Sequence, residues 1–166
     1  PHVIEPSFGI GRIIYSVMEH SFGQRENDDS RCIMNLKPCV AGVKLGIFRL
    51  VNNNAGMDAV VEKIRRQMRD GAINVRVDST SGTIGRRYSR ADVLGIPFGV
   101  TVDFDTLVDN TVTLRDRTSM SQVRLPLGDL SHVVAQLVSE NLTWETVSTM
   151  FVVVNQGTDE DDKNAE

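Results

Sequence analysis

The chain has 166 residues, 40% hydrophobic and 24% charged, the balance of a globular domain with one sizeable core. No apolar run approaches the ~20 residues of a membrane span, and Pro1-His2-Val3-Ile4-Glu5-Pro6 has no Met and no signal-peptide pattern, so it reads as a cut inside a larger protein. The net charge of −4 is concentrated in the tail: five acids and one base lie from Asp159 onward, leaving 17 of each sign in residues 1–158, and 14 of those bases are arginine.

Residues 3–8 read as a short strand. Gly9 and Gly11 follow, and then Ile10, Ile13, Ile14, Val17, Met18 and Phe22 recur at helical spacing. Residues 23–36 begin polar and charged and read as a linker or exposed loop. Residues 40–50 form a long apolar-rich run, a buried strand. Asn52-Asn53-Asn54 is a turn that can cap a helix, whose apolar face is Met57, Val60, Val61, Ile64 and Met68, with Gly71 at its end. A strand over 73–77, a helix over 83–94 stopped by Gly95, and a strand over 98–104 complete a β-α-β-α-β order. That order favours a parallel α/β sheet.

Strands over 111–117 and 121–127 are joined by Thr118-Ser119-Met120. So short a link makes an antiparallel hairpin, and the sheet is therefore mixed. A helix over 129–140 and a short one from Thr143-Trp144 follow. Residues 156–166 are acidic and polar, the composition of a disordered tail. The expected architecture is α/β: a mixed, mostly parallel five-stranded sheet flanked by helices, preceded by a strand-helix unit. Cys32 and Cys39, the only cysteines, fit no zinc or redox spacing. They read as reduced thiols, buried if core residues, and no metal site is expected.

Three constellations could carry chemistry. Alternation along the hairpin puts Val112, Leu114, Val123 and Leu125 inward. The other face then displays Arg115, Arg117, Arg124 and Gln122, either as a nucleic-acid platform or as a solvated face with internal ion pairs. Thr83-Ile84-Gly85-Arg86-Arg87-Tyr88-Ser89-Arg90 opens a helix. A helix N-terminus suits phosphate, and cations beside an aromatic plane suit single-stranded RNA. The alternative is that these arginines pair with Asp92 or Asp78. Glu5-Pro6-Ser7-Phe8-Gly9-Ile10-Gly11-Arg12 could bring backbone and a fixed cation to a nucleotide. It lacks the third glycine and distant acid of a dinucleotide fold, and the alternative is that these glycines serve packing.

Taken together, these motifs resemble a known family. Val3-Ile4-Glu5-Pro6-Ser7-Phe8-Gly9-Ile10-Gly11-Arg12-Ile13-Ile14-Tyr15 resembles motif 3 of class II aminoacyl-tRNA synthetases, in its eukaryotic-type glycyl form. Ser81-Gly82-Thr83-Ile84-Gly85-Arg86-Arg87-Tyr88 and Gly95-Ile96-Pro97-Phe98-Gly99-Val100-Thr101-Val102-Asp103-Phe104-Asp105 resemble the anticodon-binding domain of the glycyl, threonyl, histidyl and prolyl enzymes. Thr113-Leu114-Arg115-Asp116-Arg117 with Gln122-Val123-Arg124 again is similar to the glycyl branch.

The resemblance implies residues 1–36 as the end of a catalytic domain plus linker, 37–155 as an anticodon-binding domain, and 156–166 as the tail. It implies that Arg12 contacts the phosphates of ATP, the parent enzyme's substrate together with Mg, and that Glu5 and Ser7 line a glycine pocket. It assigns Arg86, Arg87, Tyr88, Arg115 and Arg117 to tRNA, with Asp116 or Asp103 reading cytosine. The implied partners are the anticodon loop of glycine tRNA and, in the parent, a second copy in a homodimer. The implied location is the cytoplasm, with an additional mitochondrial form. Class II motifs 1 and 2 are absent from these residues, so the chain alone is expected not to form glycyl-adenylate. The alternative is a non-catalytic nucleic-acid-binding module of the same fold, such as a polymerase accessory subunit.

Overall fold

The computed structural model describes residues 1–25 and 28–154. The tail expected to be disordered lies outside them. Residues 3–8 are exposed and carry no regular structure, where a strand was expected. A strand needs a ladder partner for its backbone groups, and none pairs with these residues among those described. Helix α1 (Ile10–Ser21) follows Gly9 at its N-cap, and none of its residues is buried.

Within the stretch expected as a linker or exposed loop, an antiparallel hairpin forms from β1 (Phe22–Arg25) and β2 (Asp28–Met34). Its polar sequence lacks the apolar alternation that marks most strands.

The main sheet is built from β3 (Leu45–Arg49), β4 (Val75–Asp78), β5 (Phe98–Val102), β6 (Thr111–Asp116), β7 (Gln122–Pro126) and β8 (Val152–Val154). Their order is β4-β3-β5-β6-β7-β8. β3 runs parallel to β4 and β5, and the other three pairings are antiparallel. The sheet is mixed as expected, with a sixth strand and less parallel character than expected. β8 adds that strand by pairing Val153 with Val123. The helices are α2 (Ala55–Asp70), α3 (Ile84–Val93), α4 (Phe104–Asp109), α5 (Leu130–Val138) and α6 (Trp144–Met150). Strand β5 stops short of residue 104 because Asp103 caps α4: its side chain accepts from Thr106 N, and Thr106 Oγ1 accepts in turn from Asp103 N.

Alternation gives the sheet two unlike faces. On one, Leu45, Ile47, Val100, Leu114, Val123 and Leu125 pack with α2 and α5 into a single apolar core. The other face carries Gly46, Phe48, Gly99, Thr101, Thr113 and Arg115. Helix α3 covers part of it. Phe48 lies so close over two glycines that a Cβ on Gly46 or Gly99 would stand 2.9 or 3.0 Å from its ring. Tyr88 of α3 meets Phe48 edge-on, with ring centroids 5.1 Å apart. Gly95 ends α3 at φ +74, and a Cβ there would also meet Leu36 at 2.9 Å. Only glycine satisfies both conditions.

Candidate nucleic-acid interface

The arginines expected on an open hairpin face are mostly interior. Arg115 is 6% exposed and Arg117 3%. The cover is the β1–β2 hairpin and the segment after it. Arg117 donates through Nη1 to Gly95 O at 3.0 Å, and through Nη2 to Asn35 Oδ1 and Leu36 O, both at 2.7 Å. Asp92, 4% exposed, accepts from Arg115 Nη1 at 3.1 Å and from Arg25 Nη2 at 2.7 Å. Arg25 Nη2 also donates to Arg117 O at 2.6 Å. Removing one member of such a buried set leaves a charge or acceptor uncompensated, a loss of about 3–5 kcal/mol. Arg25 and Asp92 were not among the expected site residues, because nothing local in sequence joins them.

Arg87 is 2% exposed and is also interior. It donates to Arg49 O at 2.6 Å and Asp78 O at 2.8 Å, and its guanidinium lies 5.7 Å from the Phe48 ring centre. Burial pushes its pKa down, against the opposing charge of Asp78. Asp78 also stands 3.9 Å from Arg90. The ion-pair alternative therefore holds for Arg87 and Arg90. Asp116 is taken up by the hairpin turn, accepting from the Ser119 N–H at 2.7 Å and its hydroxyl at 2.9 Å.

Beyond the edge of α3, the second face opens into a cleft of about 450 Å³. Tyr88, Thr101, Asp103, Arg115, Gln122 and Arg124 are among the residues lining it. The Tyr88 hydroxyl is 2.6 Å from Thr101 Oγ1, and the Arg115 guanidinium lies 4.6 Å from the Tyr88 ring centre. Burial raises the phenol pKa, outweighing the Thr101 hydrogen bond and the nearby Arg115 charge, so Tyr88 stays protonated. Arg124 grips Asp103 with both terminal nitrogens, at 2.8 and 3.0 Å. Burial pushes the Asp103 carboxyl up, but hydrogen bonds from Arg124 and Thr106 outweigh it and hold the pKa below its usual value.

The lining thus mixes both charge signs with hydroxyls, an amide and an aromatic edge. Such a mixture suits the donor and acceptor edges of nucleobases better than a row of phosphates. Two exposed residues adjoin the lining in sequence. Phe104, 54% exposed, sits between the lining residues Asp103 and Asp105. Arg86 is exposed on the first turn of α3, behind the Thr83 cap. Phe104 escaped the sequence reading because it was counted as the end of a strand. Of the expected tRNA residues, Tyr88, Arg115 and Asp103 meet in the cleft. Arg87, Arg117 and Asp116 do not line it.

Glu5, Ser7 and Arg12 are exposed and none lines the cleft. Cys39 is exposed and Cys32 half-buried, both free, so neither is a core thiol. No group of three or more potential metal ligands occurs among the described residues, and no helix is long and apolar enough to cross a membrane.

A family model described as the anticodon binding domain matches residues 45–137, from β3 through all but the last residue of α5. The chain belongs to this family. Its sequence similarity runs beyond the matched anticodon-binding domain. A glycine–tRNA ligase of Drosophila melanogaster is 46% identical over 157 residues, covering 94% of this chain and 20% of that protein. The mitochondrial glycine–tRNA ligase 1 of Saccharomyces cerevisiae is 41% identical over 145 residues, 87% of this chain and 21% of that one. The chain therefore spans about a fifth of the length of these relatives. A solved prolyl-tRNA synthetase from Cryptosporidium parvum superposes with a TM-score of 0.61 at 19% identity, over 64% of this chain and 23% of that one. At that identity the likeness concerns the fold.

Proposed function

We propose that this chain is the tRNA anticodon-binding part of a glycyl-tRNA synthetase, an enzyme that attaches glycine to its tRNA through a glycyl-adenylate made with ATP and Mg. The observation that carries the reading is the polar, aromatic-edged cleft on the open face of an anticodon-binding fold. Similarity to glycine–tRNA ligases along nearly the whole chain supports it.

Glycine codons require anticodons with cytosine at the second and third positions. Cytosine presents an N4 donor and N3/O2 acceptors. Phe104 supplies an exposed ring on which an unstacked base can lie. Arg86 supplies a cation at the rim, and Tyr88, Thr101 and Arg115 shape the floor. Asp103 is the acid placed to accept from N4, with Arg124 holding it ionised. Arg87, Arg117 and Asp116 act in folding rather than in direct contact, since the two guanidiniums are turned to backbone carbonyls and Asp116 closes the hairpin turn through Ser119.

Glu5 and Ser7 for the glycine pocket, and Arg12 for the ATP phosphates, require the remainder of the parent enzyme. The α1 face of Ile10, Ile13, Ile14, Val17 and Met18, exposed here, packs against that remainder in the full homodimeric enzyme. The parent works in the cytoplasm, with a mitochondrial form.

The test is binding of the chain to a glycine-tRNA anticodon stem-loop and to one with an altered second anticodon base. A preference of at least about tenfold is expected, the low end of single-base discrimination. Equal affinity for both would refute the reading. The chain alone should support no ATP–pyrophosphate exchange.

A further inference from the structure

We infer that Arg25, on the N-terminal hairpin, is a positioning residue for the anticodon cleft, so that hairpin docking and RNA binding are coupled. The inference rests on the anticodon reading above. An unbroken series of contacts joins the two places. Arg25 Nη2 donates to Asp92 Oδ2 at 2.7 Å. Asp92 receives Arg115 on both oxygens, at 3.1 and 3.5 Å. Arg115 lies over Tyr88, whose hydroxyl meets Thr101 on the cleft floor. Every polar member nearer the hairpin is buried: Arg25 at 9%, Asp92 at 4% and Arg115 at 6% exposure.

The charges explain why Arg25 matters to its distant neighbours. Asp92 is shared between two guanidiniums. With Arg25 in place, Arg115 takes the remaining lone pairs of Asp92, and its plane is fixed against the Tyr88 ring. Without Arg25, Asp92 has one cation for two oxygens and draws Arg115 away from the ring and from the cleft. Arg25 also reaches the carbonyls of Arg117 and Thr118, so it can hold Asp92 only while the hairpin is docked. The docked and released hairpin are therefore two states that differ in the aim of a cleft residue. A ligand that needs Arg115 in its docked orientation favours the docked hairpin, and the reverse follows by linkage.

Stem-loop affinity and amide exchange of the hairpin, both measured on the 166-residue chain, provide the test. Arg25→Gln should weaken binding about tenfold, within the usual range of coupling between sites. Arg25→Lys, which keeps a cation on Asp92, should recover most of that loss. In an Arg115→Gln background the Arg25→Gln effect should vanish, an outcome that general destabilisation would not produce. Saturating stem-loop should slow amide exchange at Gln24, Arg25 and residues 31–34 of the unsubstituted chain. If that chain binds the stem-loop while Arg25→Gln stays within about twofold of it, the coupling is overturned. Additive losses in the double variant overturn it as well. If the unsubstituted chain binds no stem-loop, the anticodon reading itself falls and takes this inference with it.

Discussion

Arg117 Nη2 donates to the carbonyl of Leu36 at 2.7 Å, tying the loop after the N-terminal hairpin to the end of a sheet strand 81 residues away. The same guanidinium serves Gly95 O and Asn35 Oδ1. Arg117→Ala strands three acceptors in a poorly solvated site. We expect a loss of about 3 kcal/mol, read as a fall of roughly 6–12 °C in thermal midpoint for a chain of this size. Arg117→Lys should fall between, because an ammonium cannot span all three acceptors in one plane. An unchanged midpoint for the alanine variant would show that these bonds do not hold the segment.

Gly99→Ala should destabilise the domain by about 1–3 kcal/mol, since its methyl group would stand 3.0 Å from Phe48. Phe48 meets Tyr88 edge-on, so a displaced Phe48 ring should disturb Tyr88 and the variant should also bind the stem-loop less tightly. Near-ultraviolet circular dichroism reports the aromatic shift, and titration reports the affinity. Native spectrum and affinity together would contradict the packing argument.

Phe104→Ala separates binding from stability. The ring is 54% exposed and lies outside the main apolar core, so the unfolding midpoint should hardly move. Stem-loop binding should weaken by about 1–3 kcal/mol if a base stacks there. A variant of full affinity would remove Phe104 from the interface.

Asp103 gives the cleft a defined acid sensitivity. Its carboxyl is raised by burial and lowered more strongly by Arg124 and Thr106, with a net pKa below the usual value. The folded state therefore favours the ionised form. That stabilisation is complete above the unfolded pKa of about 3.9 and is lost as pH falls through the folded value. Asp103→Asn keeps the α4 cap but loses this dependence. The midpoint gap between the two proteins should be constant above about pH 5 and shrink below about pH 4. A gap that persists to low pH would mean that Asp103 is not held ionised.

The α/β order, the Asn54 cap, the stop at Gly95 and the inward row of Val112, Leu114, Val123 and Leu125 were all legible in the sequence. Each is fixed by neighbours a few residues away or by simple alternation. The fate of the arginines was not. Arg115 and Arg117 alternate correctly onto the second face, but whether that face is open depends on Arg25, Asn35 and Leu36. Those residues lie in a polar segment with no apolar periodicity to betray a packed hairpin. Their partners are largely backbone carbonyls, Gly95 O and Arg117 O among them, and a carbonyl leaves no mark in a sequence. Phe104 was lost for a related reason: Asp103 reads equally well as the end of a strand or the start of α4.

The long spans of the arginine bonds bear on how the molecule is made. Arg25 leaves the ribosome 92 residues before the carbonyl of Arg117 that it will hold. At ordinary elongation rates that interval is roughly 5–20 s. The β1–β2 hairpin is synthesised early but acquires its seat only once β6 exists, so the order of synthesis and the order of assembly run opposite ways. During that interval the hairpin stands without the domain it precedes, and a chaperone can grip it there.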